Sequence, residues 1–172
     1  LCDSLVCLRY TVPTDRTRLF VSCAGTYASG ELYVVKEVDE DNYVRYEFTD
    51  KEGRIVLIRS INGNEGMDDT YYIYDIFGNL RVVLPPMCSA NFCSGSLTDS
   101  ASVLSDYAFL YKYDTRNRCV GKKQPGCEWV ELVYDRCDRL IFTQNGKERA
   151  NNEWAFHLED LSGRSVLNGV YR

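Results

Sequence analysis

Apolar and polar positions alternate along most of this chain with a period of two residues, the pattern of half-buried β-strands. The clearest stretch is Tyr72-Ile73-Tyr74-Asp75-Ile76-Phe77-Gly78-Asn79-Leu80-Arg81-Val82-Val83-Leu84. Alternating apolar residues run into Asp75, and Leu80, Val82 and Leu84 alternate after Gly78-Asn79, so the segment predicts a hairpin with a tight reversal. Further strands are expected at 5–12, 18–23, 31–38, 43–49 and 54–61, the last three as a meander. Later ones are expected at 110–113, 119–122, 129–134, 140–143, 154–158 and 165–167, with Pro125-Gly126 and Asn145-Gly146 as reversals. One segment breaks the rhythm. After Pro85-Pro86 the composition turns small and polar, and Val103, Leu104, Tyr107 and Ala108 fall at helical spacing, which predicts one short helix near 99–107.

The reversal at Asp75 recurs. The pattern Asp-x-x-small or polar-Arg or Asn, with an aromatic just before or near the Asp, stands at 50–54, 75–79, 114–118, 135–139 and 160–164. The steps from Asp to Asp are 25, 39, 21 and 25 residues, so three fit one hairpin unit per repeat and the longest contains the helical insertion. An Asp opening a turn accepts hydrogen bonds from backbone N–H groups two residues on. The position three later takes positive φ, which Gly, Asn and Asp tolerate best. Gly53, Gly78, Asn117, Asp138 and Gly163 occupy it. Each unit therefore predicts a type I turn followed by a left-handed residue, flanked by good strand formers.

These motifs resemble the YD repeats of the Rhs family of large secreted and cell-surface proteins. The phrases Asn79-Leu80-Arg81-Val82-Val83-Leu84-Pro85-Pro86, Tyr113-Asp114-Thr115-Arg116-Asn117-Arg118 and Lys122-Lys123-Gln124-Pro125-Gly126-Cys127 are similar to Rhs-type proteins of Bacteroidetes in particular. The resemblance covers roughly residues 30 to 172. It implies a mainly β chain in which YD-repeat hairpins form a curved antiparallel meander within one domain, 1–172, of a longer repeat array. It also implies, in some members, a hollow β-sheet shell enclosing a C-terminal toxin.

Composition fits one β-rich domain: 172 residues, 45% hydrophobic, with 13 Tyr and 7 Phe. A net charge of −5 disfavours a nucleic-acid or anionic-membrane surface. No apolar run is long enough to span a bilayer, and the start lacks the features of an export signal, so a signal or anchor is expected outside this chain. Eight cysteines permit disulfides, with Cys2/Cys7 and Cys88/Cys93 the closest pairs, but cysteines scattered through strands, such as Cys23 and Cys119, are more often buried free thiols.

Candidate chemistry is sparse. Glu37, Asp39 and Asp41 could supply oxygen ligands to calcium, but the Gly and bidentate Glu of a calcium loop are missing, and a solvated turn is expected. The acidic, Gly-rich loop at 62–69 likewise reads as a connection. His157 is the only histidine and sits in a strand before the fifth turn, so it is expected to be structural. The sequence assigns no catalytic, cofactor or metal residues. Three functions stay open: a non-catalytic scaffold segment of a secreted or cell-surface protein, a glycan- or protein-binding module using its many aromatics, and a carboxylate hydrolase. The scaffold ranks first. Its expected partners are the other repeats of the parent chain, with an enclosed toxin or a surface glycan as further candidates. A second copy pairing at an open sheet edge is also expected.

Overall fold

The two-residue alternation is realised as strand after strand. The computed structural model describes residues 5–15, 18–61, 66–92, 95–98 and 101–172. In chain order the elements are β1 (Leu8–Thr11), β2 (Phe20–Thr26), β3 (Tyr33–Val38), β4 (Val44–Thr49), β5 (Ile55–Ile61), β6 (Met67–Tyr74) and β7 (Leu80–Leu84). There follow α1 (Pro86–Ser89), β8 (Ser96–Thr98), α2 (Ser102–Tyr107), β9 (Phe109–Tyr113), β10 (Cys119–Lys123), β11 (Val130–Tyr134) and β12 (Leu140–Gln144). The chain continues with α3 (Gly146–Ala150), β13 (Trp154–Glu159) and β14 (Ser165–Tyr171). From β3 to β14, omitting only β8, eleven strands pair antiparallel in chain order. The sheet is open, ending at β3 on one side and β14 on the other.

The first two strands do not extend this meander. β1, β2 and β8 form a second, three-stranded sheet, with Phe20 opposite Thr98 and Tyr10 opposite Cys23. A three-residue strand such as β8 carries too little alternation to be seen in the sequence. The helix expected near 99–107 is α2, and 99–100 lie outside the described residues. Two more short helices accompany it, where one was expected. α1 starts with Pro86 in its first turn, where a missing N–H costs nothing. At Asn145-Gly146 the reversal is a helical turn closed by a capping box. The Asn145 side chain accepts from the Glu148 N–H, and the Glu148 carboxylate accepts from the Asn145 N–H.

Every buried apolar side chain among the described residues lies between Cys7 and Leu110. The register lines up Phe48, Leu57, Tyr71 and Leu84 across β4 to β7, and Ile73, Val82 and Leu110 across β6, β7 and β9, on one face of the large sheet. Over this face sit the small sheet and the helical insertion. Tyr10 packs edge-on against Tyr71, with ring centroids 4.9 Å apart, and its hydroxyl donates to the Phe92 carbonyl at 2.6 Å. Full burial of each such aliphatic side chain is worth roughly 1.5–3 kcal/mol. Beyond Leu110 the same face carries Val133, Phe142 and Phe156 in direct register, with Trp154 and Tyr171 beside them, all partly exposed. There the molecule is a single layer.

Candidate functional site

In an antiparallel meander, successive turns fall alternately at opposite sheet edges. The five Asp motifs all fall at one edge and form its rim. Each is the same hydrogen-bonded unit. The Asp N–H donates to the carbonyl four residues on, at 2.9–3.0 Å, and the N–H three residues on donates to the Asp carbonyl. Gly53, Gly78, Asn117, Asp138 and Gly163 have φ between 62° and 82°, as the motif predicted. A register shift adjoins each turn, at Phe48/Thr49, Ile73/Tyr74, Cys119/Gly121, Val133/Tyr134 and Leu158/Glu159, so the left-handed residue creates a bulge.

The two carboxylate oxygens divide the work. Oδ1 of Asp135 accepts from the backbone N–H groups of Cys137 at 2.8 Å and Arg139 at 2.9 Å, and its Oδ2 accepts from Arg139 Nε at 2.8 Å. Asp50 with Arg54, Asp114 with Arg118 and Asp160 with Arg164 repeat this, each Nε–Oδ2 contact at 2.7 Å. In the second turn Asn79 replaces the Arg, and its Nδ2 reaches Asp75 Oδ2 at 3.1 Å. The sequence shows Arg or Asn at this place, but its role as a side-chain lock appears only in three dimensions.

Those locks have electrostatic consequences. Hydrogen bonds from the Arg139 backbone and, despite some desolvation, from its guanidinium hold the Asp135 carboxyl below the usual range. The same donors on Arg164 lower Asp160. For Asp50 and Asp114 burial pushes upward, but backbone and side-chain donors from Arg54 and Arg118 outweigh it and the carboxyls again sit low.

Each lock also reaches its neighbour. The Arg54 guanidinium lies 5.1 Å from the ring centroid of Tyr74, the residue just before Asp75. Asn79 Nδ2 donates onward to Asn117 Oδ1 at 3.2 Å. Arg118 donates to the Asp135 carbonyl at 3.0 Å and to Asp138 Oδ1 at 2.7 Å, and stacks 5.0 Å from the Tyr134 ring centroid. Arg139 donates to the Asp160 carbonyl at 3.4 Å. The rim is thus a continuous ladder through five turns. The aromatic before the Asp acquires a second purpose beyond strand propensity: in two of the turns it is the platform for the preceding turn's Arg.

A sixth copy of the turn stands at the opposite edge. Asp39 Oδ1 accepts from the N–H groups of Asp41 at 3.0 Å and Tyr43 at 2.8 Å, and Asn42 has φ 64°. The acidic cluster tested for calcium is therefore a turn of the same design, with Tyr43 where the ladder turns carry Arg or Asn. Its Asp-x-x-Asn spacing was legible in the sequence. Among the described residues, no group of three His, Cys, Asp or Glu side chains could hold a metal ion.

The remaining candidates are dispersed. His157 is exposed on β13, its Nδ1 3.1 Å from Asn168 Oδ1 on β14. Of the acidic loop at 62–69, residues 62–65 lie outside the described residues. Asp69 is held by Arg59 through two 2.6 Å contacts, beneath the small sheet. Cys7, Cys23, Cys88, Cys119, Cys127 and Cys137 are free thiols, and Cys2 and Cys93 lie outside the described residues. Burial, partly offset by Arg59, pushes Cys7 up to about 12, and burial pushes Cys88 up to about 11, so neither is a nucleophile at neutral pH. Two residues to which the sequence reading gave no role matter for the fold. Arg81 is fully buried, donates to the Tyr111 carbonyl at 3.1 Å and the Arg18 carbonyl at 3.3 Å, and lies 3.8 Å from Asp75 Oδ2. Arg59 is the other.

An open antiparallel meander with one rim of stacked Asp turns defines the fold class, and comparison with known structures gives it company. The chain superimposes on TcdB2-TccC3 with a TM-score of 0.58 at 15% identity, over 95% of its own length. It also superimposes on the Photorhabdus luminescens Tc holotoxin pore carrying TccC3-D651A, with a TM-score of 0.56 at 15% identity over 95% of its length. In both cases it spans 7% of the matched chain. No family model and no curated protein sequence matches it. At this identity the likeness is one of fold.

Proposed function

We propose that this chain is a non-catalytic wall segment of a larger, secreted or envelope-associated protein of the Rhs/YD-repeat type. The carrying observation is the ladder: five Asp turns of one design, each locked by its own Arg or Asn, with locks reaching across to the next turn. Such a rim makes each hairpin a unit that fixes its neighbour, which is what a long sheet needs and a catalytic site does not. The fold shared with segments of the far longer Tc toxin chains supports the same reading. In this role the chain's partners are further repeats of its parent, and the enclosed cargo is a toxin domain. Determining the structure of the parent protein by electron microscopy tests it. A continuous sheet running through this segment and bounding an interior is the expected result, and a segment standing apart as a separate module overturns it.

One observation favours a second reading, a glycan- or protein-binding module. Val133, Phe142, Trp154 and Tyr171 line an apolar groove of about 230 Å³ on the single-layered face. Titrating polysaccharides while following Trp fluorescence separates the two: saturable quenching lost in Trp154→Ala supports the module, and no response supports the wall.

A further inference from the structure

The face left without a second layer carries two neighbouring grooves. One is the apolar groove of Val133, Phe142, Trp154 and Tyr171. The other is a cleft of about 520 Å³ whose walls include Lys112, Trp129, Glu131 and Arg149. Lys112, Gly121 and Glu131 stand opposite one another in register across β9, β10 and β11. Gly121 is the floor: a Cβ there would fall 3.4 Å from the Trp129 ring, so the missing side chain lets the indole recline across β10. The Lys112 ammonium lies 4.0 Å from the Trp129 ring centroid. Arg149, on the helix that the Asn145 capping box fixes, donates to the Trp129 carbonyl at 3.1 Å and pairs with Glu131 at 3.3 Å. Two cations against one carboxylate leave this cleft positive on a chain of net charge −5. Val133 lines both grooves, so they join into one trough crossing the strands, charged at the β9 end and apolar at the β14 end.

We infer that this trough seats an extended segment of a partner protein that carries an aliphatic side chain and, about four residues away, a carboxylate. The inference deepens the binding-module reading given above and rests on it. The spacing follows from the sheet. Lys112 on β9 and Phe142 on β12 are three strands apart, about 14 Å at the usual strand separation, which an extended chain covers in about four residues. The chemistry follows from the walls. One valine and three aromatic rings suit an aliphatic side chain, whereas a sugar needs placed hydrogen-bonding groups to orient it. A carboxylate between Lys112 and Arg149 gains charge-assisted hydrogen bonds, and Glu131 does not cancel them because its charge is offset by Arg149. Both grooves lie open on a single layer, which favours a passing chain over an enclosed small molecule.

The chain's two tryptophans report on the two grooves separately, Trp129 on the charged cleft and Trp154 on the apolar groove. The test is fluorescence titration of the full chain with a synthetic peptide of two leucines, three serines and two glutamates in that order, and with its glutamine and lysine counterparts. The titrations are repeated in Trp129→Phe and in Trp154→Phe. The expected result is saturable quenching in both variants, with the glutamate peptide binding about fivefold more tightly than the glutamine peptide and the lysine peptide most weakly. High salt removes that preference in the unsubstituted chain, a reading independent of any variant. Lys112→Gln removes most of it at low salt, and Lys51→Gln, in an exposed turn of the ladder, leaves it intact. Equal affinity for the glutamate and glutamine peptides, tighter binding of the lysine peptide, or a response of Trp154 alone overturns the inference and leaves the module reading standing. So does tighter binding of polygalacturonate than of the glutamate peptide, which makes the occupant a glycan. No response to any peptide or to the polysaccharide overturns the module reading as well.

Discussion

At the scale of the residue, the repeat is a statement about one carboxylate. In four of the five turns Oδ1 organises the backbone and Oδ2 holds an arginine, so the carboxyl is worth more ionised in the folded chain than in the unfolded one. The carboxyls of Asp50, Asp114, Asp135 and Asp160 accordingly lie below their ordinary value of 3.8. A depressed folded value means that the unfolded chain takes up protons first as pH falls. The stabilisation is complete above the unfolded value and is lost as pH drops through the folded ones. The midpoint of urea unfolding should stay level from neutral pH to about 5 and decline through the range below about 4. A midpoint that rises on acidification would contradict this. Asp50→Ala removes two backbone acceptor contacts and one ion-pair partner at a largely covered position, and should cost about 1–2 kcal/mol by chemical denaturation. Asp50→Asn, which keeps a capping oxygen, should cost less. The Asp, the left-handed residue and their spacing were legible in the sequence because turn chemistry is local. The lock between Arg118 and the next turn was not, because it joins residues brought together only by strand order.

At the scale of the element, strands with clear alternation appear where the pattern places them, and what the pattern missed is what depends on partners. β1 and β2 alternate like the others, yet leave the meander because β8 supplies an edge for β2 and because Tyr10 and Val21 find a face to cover. Arg81 ties these layers together. It sits on β7, contacts the β9 backbone at Tyr111, reaches the carbonyl of Arg18 just before β2, and neighbours Asp75 of the rim. In a strand sequence it reads as an ordinary outward polar residue. Arg81→Ala should lower stability by about 3–5 kcal/mol, the range for removing one partner of a buried charge pair, measured by chemical denaturation. Arg81→Met keeps the volume without the charge and should leave Asp75 buried opposite no cation, so it should recover only part of the loss.

At the scale of the whole molecule, the chain divides into a two-layered part and a one-layered part without a change of sheet. The former holds the buried apolar side chains, and β10 to β14 rely on the ladder, cross-strand pairs and the contacts of Phe142 with Trp154 and Tyr171. Local opening free energy follows buried contact. Native-state hydrogen exchange should therefore find the slowest amides in β5, β6 and β7 and faster exchange in β12 to β14. Uniform protection across the sheet would show that the ladder alone equals a second layer. Nothing in the local sequence marks this boundary, since the strands on either side carry the same alternation and the difference is only in what lies above them.

The two long edges of the sheet differ in one further respect. The connections that carry helices, the 85–108 insertion with α1, β8 and α2, and the 145–153 connection with α3, fall opposite the ladder, as does the Pro125-Gly126 turn. Contacts along that margin are particular to each pair of connections, the Gly126 N–H donating to the Ser105 carbonyl at 3.1 Å and Arg149 to the Trp129 carbonyl at 3.1 Å, and repeat no common unit. Along the ladder margin an added residue would displace two neighbours as well as its own turn. Foreign segments are thus best spliced into this chain at the varied margin, leaving the other as the ruler by which successive hairpins are spaced.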